Sequence, residues 1–190
     1  MELQHINVKL LFNESMDSNL DPLIPIFHAW ISKQDREELL IDVADYRHVP
    51  DGPGIILIGH EANISLTENN RHISLCYNRK IATKGTDEER FRQAVRGALI
   101  ACEKLEMDGR LTGKMNFECQ EIEIFVNDRI FFSNQKKSYR ILDPKFKGLF
   151  DVIFVKNEYS ISHFEDPRKV YSIIIKTPLP LNKKKILQAL

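Results

Sequence analysis

Apolar positions recur along the chain with two periods, one of two residues and one near 3.6, and their succession predicts the elements. In residues 5–13, Ile6, Val8, Leu10 and Phe12 alternate with more polar neighbours, which predicts a strand. A polar stretch from Glu14 to Asn19 follows. Asp21-Pro22 then has the form of an N-cap with proline at the first helical position. Behind it Leu23, Ile26, Phe27, Trp30 and Ile31 share one helical face up to about Gln34. The nearly unbroken apolar run Leu39-Leu40-Ile41-Asp42-Val43-Ala44 predicts a strand buried on both faces. After a loop from Arg47 to Gly54, residues 55–66 predict one long strand, Asn69-Asn70 a turn, and residues 73–79 a returning strand. These three strands are expected to form an antiparallel meander.

Thr86-Asp87-Glu88-Glu89 is a capping box, in which hydroxyl and carboxylate each satisfy an orphan backbone N–H. Phe91, Val95, Ala98, Leu99, Cys102 and Leu105 form the apolar stripe of the helix behind it, which ends near Asp108-Gly109. Residues 117–126 predict a strand with Ile122, Ile124 and Val126 on one face and Glu121 and Glu123 on the other. Asp143-Pro144 repeats the cap-then-proline signal for a helix with Phe146, Leu149, Phe150 and Ile153 on its face, unless it begins earlier, near Lys137. Strands over 159–164 and 170–177, joined by the turn Glu165-Asp166-Pro167, close the fold. The order is β-α-β-β-β-α-β-α-β-β, and hairpins outnumber crossovers. The expected class is therefore α+β, a mainly antiparallel (mixed) sheet covered by three helices. Residues 1–190 are read as one domain with sub-units 1–108 and 109–178, and 179–190 as a solvated C-terminal tail carrying Lys183-Lys184-Lys185. Strand, helix and paired strands occur twice, at 5–79 and 115–177, without similarity between the residues themselves.

Composition narrows the function classes. With 43% hydrophobic and 28% charged residues, the 190-residue chain has enough apolar surface for a core and is neither disordered nor collagen-like. No apolar run approaches the ~20 residues of a bilayer span, so no membrane association is expected. Lys and Arg equal Asp and Glu at 27 each, which argues against a general binder of nucleic acid. That zero is a sum of opposites, −6 over residues 1–108 and +6 over 109–190, which leaves self-association into a homo-oligomer open. Cys76, Cys102 and Cys119 are odd in number and lack a CxxC pair. With no signal peptide visible in Met1–His5, they are expected to be reduced thiols of a cytoplasmic protein.

The reactive side chains gather in one segment. Asp42, Asp45, Tyr46, Arg47, His48 and Asp51 are followed, past Gly54, by His60 and Glu61. Strand alternation puts Asp42 and Tyr46 on one face and Asp45 on the other. It also places His60 among Ile56, Ile58, Ala62 and Ile64. Polar groups on apolar faces need partners. If the strands pair across the loop, Asp42 or Asp45 lies opposite His60 or Glu61. Such a pair serves as a general base, as metal ligands, or as a purely structural hydrogen bond. His48, His60 and Asp45 are the candidate metal ligands, though no metal-binding spacing such as HExxH is matched. Pro50-Asp51-Gly52-Pro53-Gly54 is a stiff loop, without a phosphate-binding glycine pattern, that presents Arg47, His48 and Asp51 to a ligand. Tyr77-Asn78-Arg79-Lys80 and Asn127-Asp128-Arg129 are read as solvent-facing chain and a turn. No nucleophile elbow or partnered Cys is present, and no cofactor is indicated.

The segments Leu40-Ile41-Asp42-Val43-Ala44-Asp45-Tyr46, His48-Val49-Pro50, Gly52-Pro53-Gly54 and Leu57-Ile58-Gly59-His60-Glu61-Ala62 resemble a family of small uncharacterised bacterial proteins. Phe27-His28-Ala29-Trp30-Ile31, Tyr77-Asn78-Arg79 and Asn127-Asp128-Arg129 are similar to it as well. The resemblance implies a bacterial, cytoplasmic protein and supplies no catalytic residues. The expected function is a non-catalytic module binding a protein partner or small ligand. The alternative is a metal-dependent hydrolase or lyase built on the Asp42–Glu61 hairpin.

Overall fold

The computed structural model describes residues 2–12, 19–34, 38–69, 72–112, 115–128, 130–154, 159–163, 166 and 168–190. The polar stretch to Ser18 and positions Asn70, Arg129, Phe164, Glu165 and Pro167 lie outside the described residues. In chain order the elements are β1 (Ile6–Phe12), α1 (Leu23–Lys33), β2 (Leu40–Asp45), β3 (Ile55–Gly59), β4 (Ala62–Asn69) and β5 (His72–Arg79). Then come α2 (Asp87–Glu106), β6 (Cys119–Val126), α3 (Lys136–Ile153), β7 (Ser160–Ser162), β8 (Tyr171–Lys176) and α4 (Lys183–Ala189). The eight strands make one sheet in the order β2-β3-β4-β5-β1-β6-β8-β7, and every pairing is antiparallel. The class is α+β, as the pattern implied.

Alternation decides which face is which. Val8, Leu10, Leu75, Tyr77, Ile122, Ile124, Tyr171, Ile173 and Ile175 point to the helices and are buried in one core cluster with Phe91, Leu99, Phe146 and Phe150. That cluster contains residues from both expected sub-units. Outward from the central β1–β6 pair, β5 and β4 lie on one side and β8 and β7 on the other. The two strand-helix-paired-strand units of the sequence therefore flank a common centre. The first unit alone adds β2 and β3.

Four local expectations are corrected. Residues 55–66 do not form one strand: the chain turns at His60-Glu61, so the core face is Ile55 and Leu57 on β3 but Ala62, Ile64 and Leu66 on β4. β2 is not buried on both faces, because it is an edge strand with Leu39 57% and Ile41 52% exposed. Its edge is blunted locally, since the Asp42 carboxylate accepts the Val43 N–H. Asp21 does not cap α1, because its carboxylate is held by Arg47 at 2.7 Å. The C-terminal residues are not a solvated tail either. Asn182 caps α4, Ile186 is buried, and Lys183 donates to the Phe117 carbonyl. The third helix takes the earlier start, with Pro144 inside it, while the α2 capping box forms as the sequence implied.

Candidate functional site

The Tyr46–Gly54 segment is the loop of the β2–β3 hairpin. It folds through two tight turns, Val49 N–H to the Tyr46 carbonyl and Gly52 N–H to the Val49 carbonyl, and closes where Tyr46 N–H meets the Gly54 carbonyl at 2.7 Å. Gly54 sits at φ 70°, and a Cβ there would lie 2.1 Å from the Leu66 carbonyl oxygen. Only glycine lets the loop lie this close to β4. Arg47 is held by two carboxylates. Its guanidinium grips both Asp45 oxygens, at 2.6–3.1 Å, and reaches Asp21 across to α1. That side-chain hydrogen bond, with the backbone N–H of the same residue, holds the Asp45 carboxyl down at about 2.

This fork gives a direct titration prediction. In Arg47→Met, the Asp45 carboxyl should titrate near its ordinary 3.8 instead of about 2, as followed by side-chain carboxyl NMR. Because the folded value is depressed, the contribution is present above the unfolded value and is lost as pH falls from about 4 toward 2. A wild-type midpoint near 3.8 would show that the fork does not persist in solution.

The other predicted residues are not brought together. Asp42 is opposite Ile58 and Asp45 opposite Ile55, so neither faces His60 or Glu61. His60 is exposed at the far turn of β3, whose N–H bonds to the Leu39 carbonyl. By strand rise that turn is roughly 17 Å from Asp45. His48 is exposed in the loop, where its ring stacks on Tyr46 at 6.3 Å between centroids. Glu61 pairs with Arg79 at 2.9 Å. Among the described residues no three His, Cys, Asp or Glu groups are arranged to hold a metal ion. Being exposed, Asp42 and His60 also need no buried partner. The imagined carboxylate–imidazole pair is therefore not formed.

The hairpin loop instead forms one wall of a cleft of about 770 Å³ across the helix-free face of the sheet. Tyr46, Arg47, Val49, Pro50, Asp51, Gly52, Pro53 and Gly54 line it from the loop, and Phe125 and Val170 lie toward the other end. Its floor carries a row of side chains that the sequence reading missed. Register places Ser65 of β4 opposite Cys76 of β5, Cys76 opposite Lys9 of β1, and Lys9 opposite Glu123 of β6. These four groups make no hydrogen bond or ion pair among the described residues, whereas the neighbouring Thr67 and Ser74 hydroxyls bond each other at 2.7 Å. The signal was present as polar residues at alternate positions of four strands. An open, solvated sheet face produces the same alternation, and only the pairing of β1 with β5 and β6 aligns them.

Burial pushes the Cys76 thiol up to about 12, Cys102 to about 12 and Cys119 to about 11, and all three are free. Neutral thiols are poor nucleophiles. The folded protein should therefore show no fast-reacting thiol toward a disulfide reagent at pH 8, with all three appearing only in denaturant. A fast thiol in buffer would contradict the burial of Cys102 or Cys119, or, at half-buried Cys76 in the cleft, the raised value that keeps its thiol neutral.

Two further polar clusters serve the fold. Glu38, Tyr77, Arg79 and Gln93 meet between β5 and α2, with Tyr77 donating to Glu38 at 2.5 Å. On the other half, His163 Nε2 lies 2.9 Å from Asp143 and its ring stacks on Tyr139, 3.8 Å between centroids. Tyr171 also donates to Asp143, which ties α3 to β7 and β8. The second ring nitrogen, His163 Nδ1, is buried with no hydrogen-bond partner among the described residues, and the set does not line the cleft.

Comparison with known proteins gives no match, neither to a family model, nor to a curated protein, nor to a solved structure.

Proposed function

We propose that the protein is a non-catalytic binding module whose ligand occupies the cleft between the Tyr46–Gly54 loop and the helix-free sheet face. The observation that carries this reading is the unpartnered Ser65–Cys76–Lys9–Glu123 row on the cleft floor, beneath a loop held rigid by its own bonds. The volume lies within the ~300–1,000 Å³ range of small-molecule sites, and the lining mixes apolar surface with a few polar groups. The chemistry available is that of binding. Burial pushes the cleft's one thiol up to about 12, and its Arg47 is already paired. Among the described residues no helix is long and apolar enough to cross a membrane. A bacterial, cytoplasmic setting belongs to the same proposal and rests on the sequence resemblance and the three free thiols.

A fragment screen read by amide chemical shifts tests it. Hits should move the amides of the Tyr46–Gly54 loop together with Lys9, Ser65, Cys76 and Glu123. Hits confined to another surface, or none, would overturn the assignment.

A further inference from the structure

We infer that the cleft ligand is a zwitterion of amino-acid type, with an ammonium and a carboxylate at one end and an apolar body tipped by a hydroxyl. This deepens the binding-module reading and depends on it.

The charge inventory of the floor leads there. Lys9 and Glu123 are half-buried register partners on the two central strands, yet neither forms an ion pair or hydrogen bond among the described residues. Arg47, the cleft's other cation, already faces two carboxylates, Asp45 and Asp21, which offset its charge toward a ligand carboxylate. Asp51 and Glu68 are exposed at the rim. A ligand carboxylate accepting from Lys9 and a ligand ammonium donating to Glu123 would satisfy both floor charges at once. A simple anion would leave Glu123 beside it, and a simple cation would face Lys9. Charge-assisted hydrogen bonds of this kind are stronger than neutral ones.

A second observation is independent of these charges. Ser65 is only 9% exposed, lines the cleft, and its hydroxyl has no partner among the described residues. The hydroxyl opens into the cleft, where as both donor and acceptor it fits a ligand that brings a hydroxyl of its own. Ser65 is two strands from Lys9, roughly 10 Å at ~4.8 Å per strand. That separates the charged head from the polar tip. From the loop, Tyr46, Val49, Pro50 and Pro53 line the same cleft, an apolar wall suited to an aromatic or branched body.

The probe is L-tyrosine, titrated calorimetrically beside three analogues that each lack one group. These are tyrosinamide without the carboxylate, N-acetyltyrosine without the ammonium, and phenylalanine without the hydroxyl. Wild type should bind tyrosine at least tenfold more tightly than the first two and several-fold more tightly than the third. Each floor variant should erase one of those differences. Lys9→Met should equalise tyrosine and tyrosinamide, Glu123→Gln tyrosine and N-acetyltyrosine, and Ser65→Ala tyrosine and phenylalanine. Unchanged melting temperatures will show that the variants fold. Equal affinity of wild type for tyrosine and either charge-deleted analogue overturns the inference. If no probe binds while fragments still shift the cleft amides, the zwitterion falls and the binding module stands. If the fragments also fail there, both fall.

Discussion

Gly54→Ala should destabilise the protein by about 3 kcal/mol and release the hairpin loop from the sheet. Two costs add at one position. At φ 70° a side chain must adopt the left-handed region, which costs about 1–2 kcal/mol. The new Cβ would also stand 2.1 Å from the Leu66 carbonyl oxygen, and both it and the nearby Leu66 carbon and Thr67 Cα are backbone atoms that cannot rotate away. Forcing that separation costs a further ~1–3 kcal/mol, the range for an overpacked core. The strain falls on the closing bond from Tyr46 N–H to the Gly54 carbonyl. The melting midpoint should drop by roughly 6–12 °C for a chain of this size, and cleft ligands should bind more weakly than this loss of stability alone explains. Gly109→Ala is the control, because its Cβ would meet nothing within 4 Å. If the two variants melt alike, the loop does not pack on β4 as described.

The α2 helix was legible in the sequence because its signals are local. The capping box and the Phe91-to-Leu105 stripe need no knowledge of the rest of the chain. The β3–β4 turn was not, because Ile55-Ile56-Leu57-Ile58 is apolar in both phases and hides the shift from odd core positions on β3 to even ones on β4. A two-residue turn without Gly or Pro inside it, at His60-Glu61, left no punctuation except the preceding Gly59. Edge placement was equally invisible. Leu39 and Ile41 are as apolar as any central-strand residue, and burial depends on which neighbours the topology supplies. Of the loop's candidates, Tyr46, Arg47 and Asp51 do line the cleft, and the pairing of Arg47 was the part not legible, since its carboxylate partners are Asp45 two residues away and Asp21 twenty-six residues earlier. The floor row depends on the pairing of β4, β5, β1 and β6, and sequence order alone does not bring Glu123 beside Lys9.

Arg79→Met should cost about 3 kcal/mol, although Arg79 is outside the cleft and touches no proposed ligand. The side chain is 9% exposed and bridges Glu38 at 3.3 Å and Glu61 at 2.9 Å, while its Nε donates to the Ile81 carbonyl. Removing the cation leaves the Glu38 carboxylate, itself 16% exposed, held among the described residues only by neutral donors, the Tyr77 hydroxyl and the Gln93 amide. A buried charge stripped of its partner is typically worth about 3–5 kcal/mol. The lower end applies here because Glu61 is 42% exposed and contributes little. The Tyr77 ring packs closely on helix α2, since a Cβ on Gly97 would lie 2.6 Å from it, which limits its room to compensate. A double-mutant cycle separates charge from packing. Glu38→Gln in the Arg79→Met background should recover part of the loss, since the pair then lacks both charges and the carboxamide still accepts from Tyr77. If Arg79→Met alone melts like wild type, the network contributes nothing to stability. If the double variant is worse than the single one by the full cost of Glu38→Gln, the two side chains act independently, and the loss belongs to the Arg79 stem and its bond to Ile81.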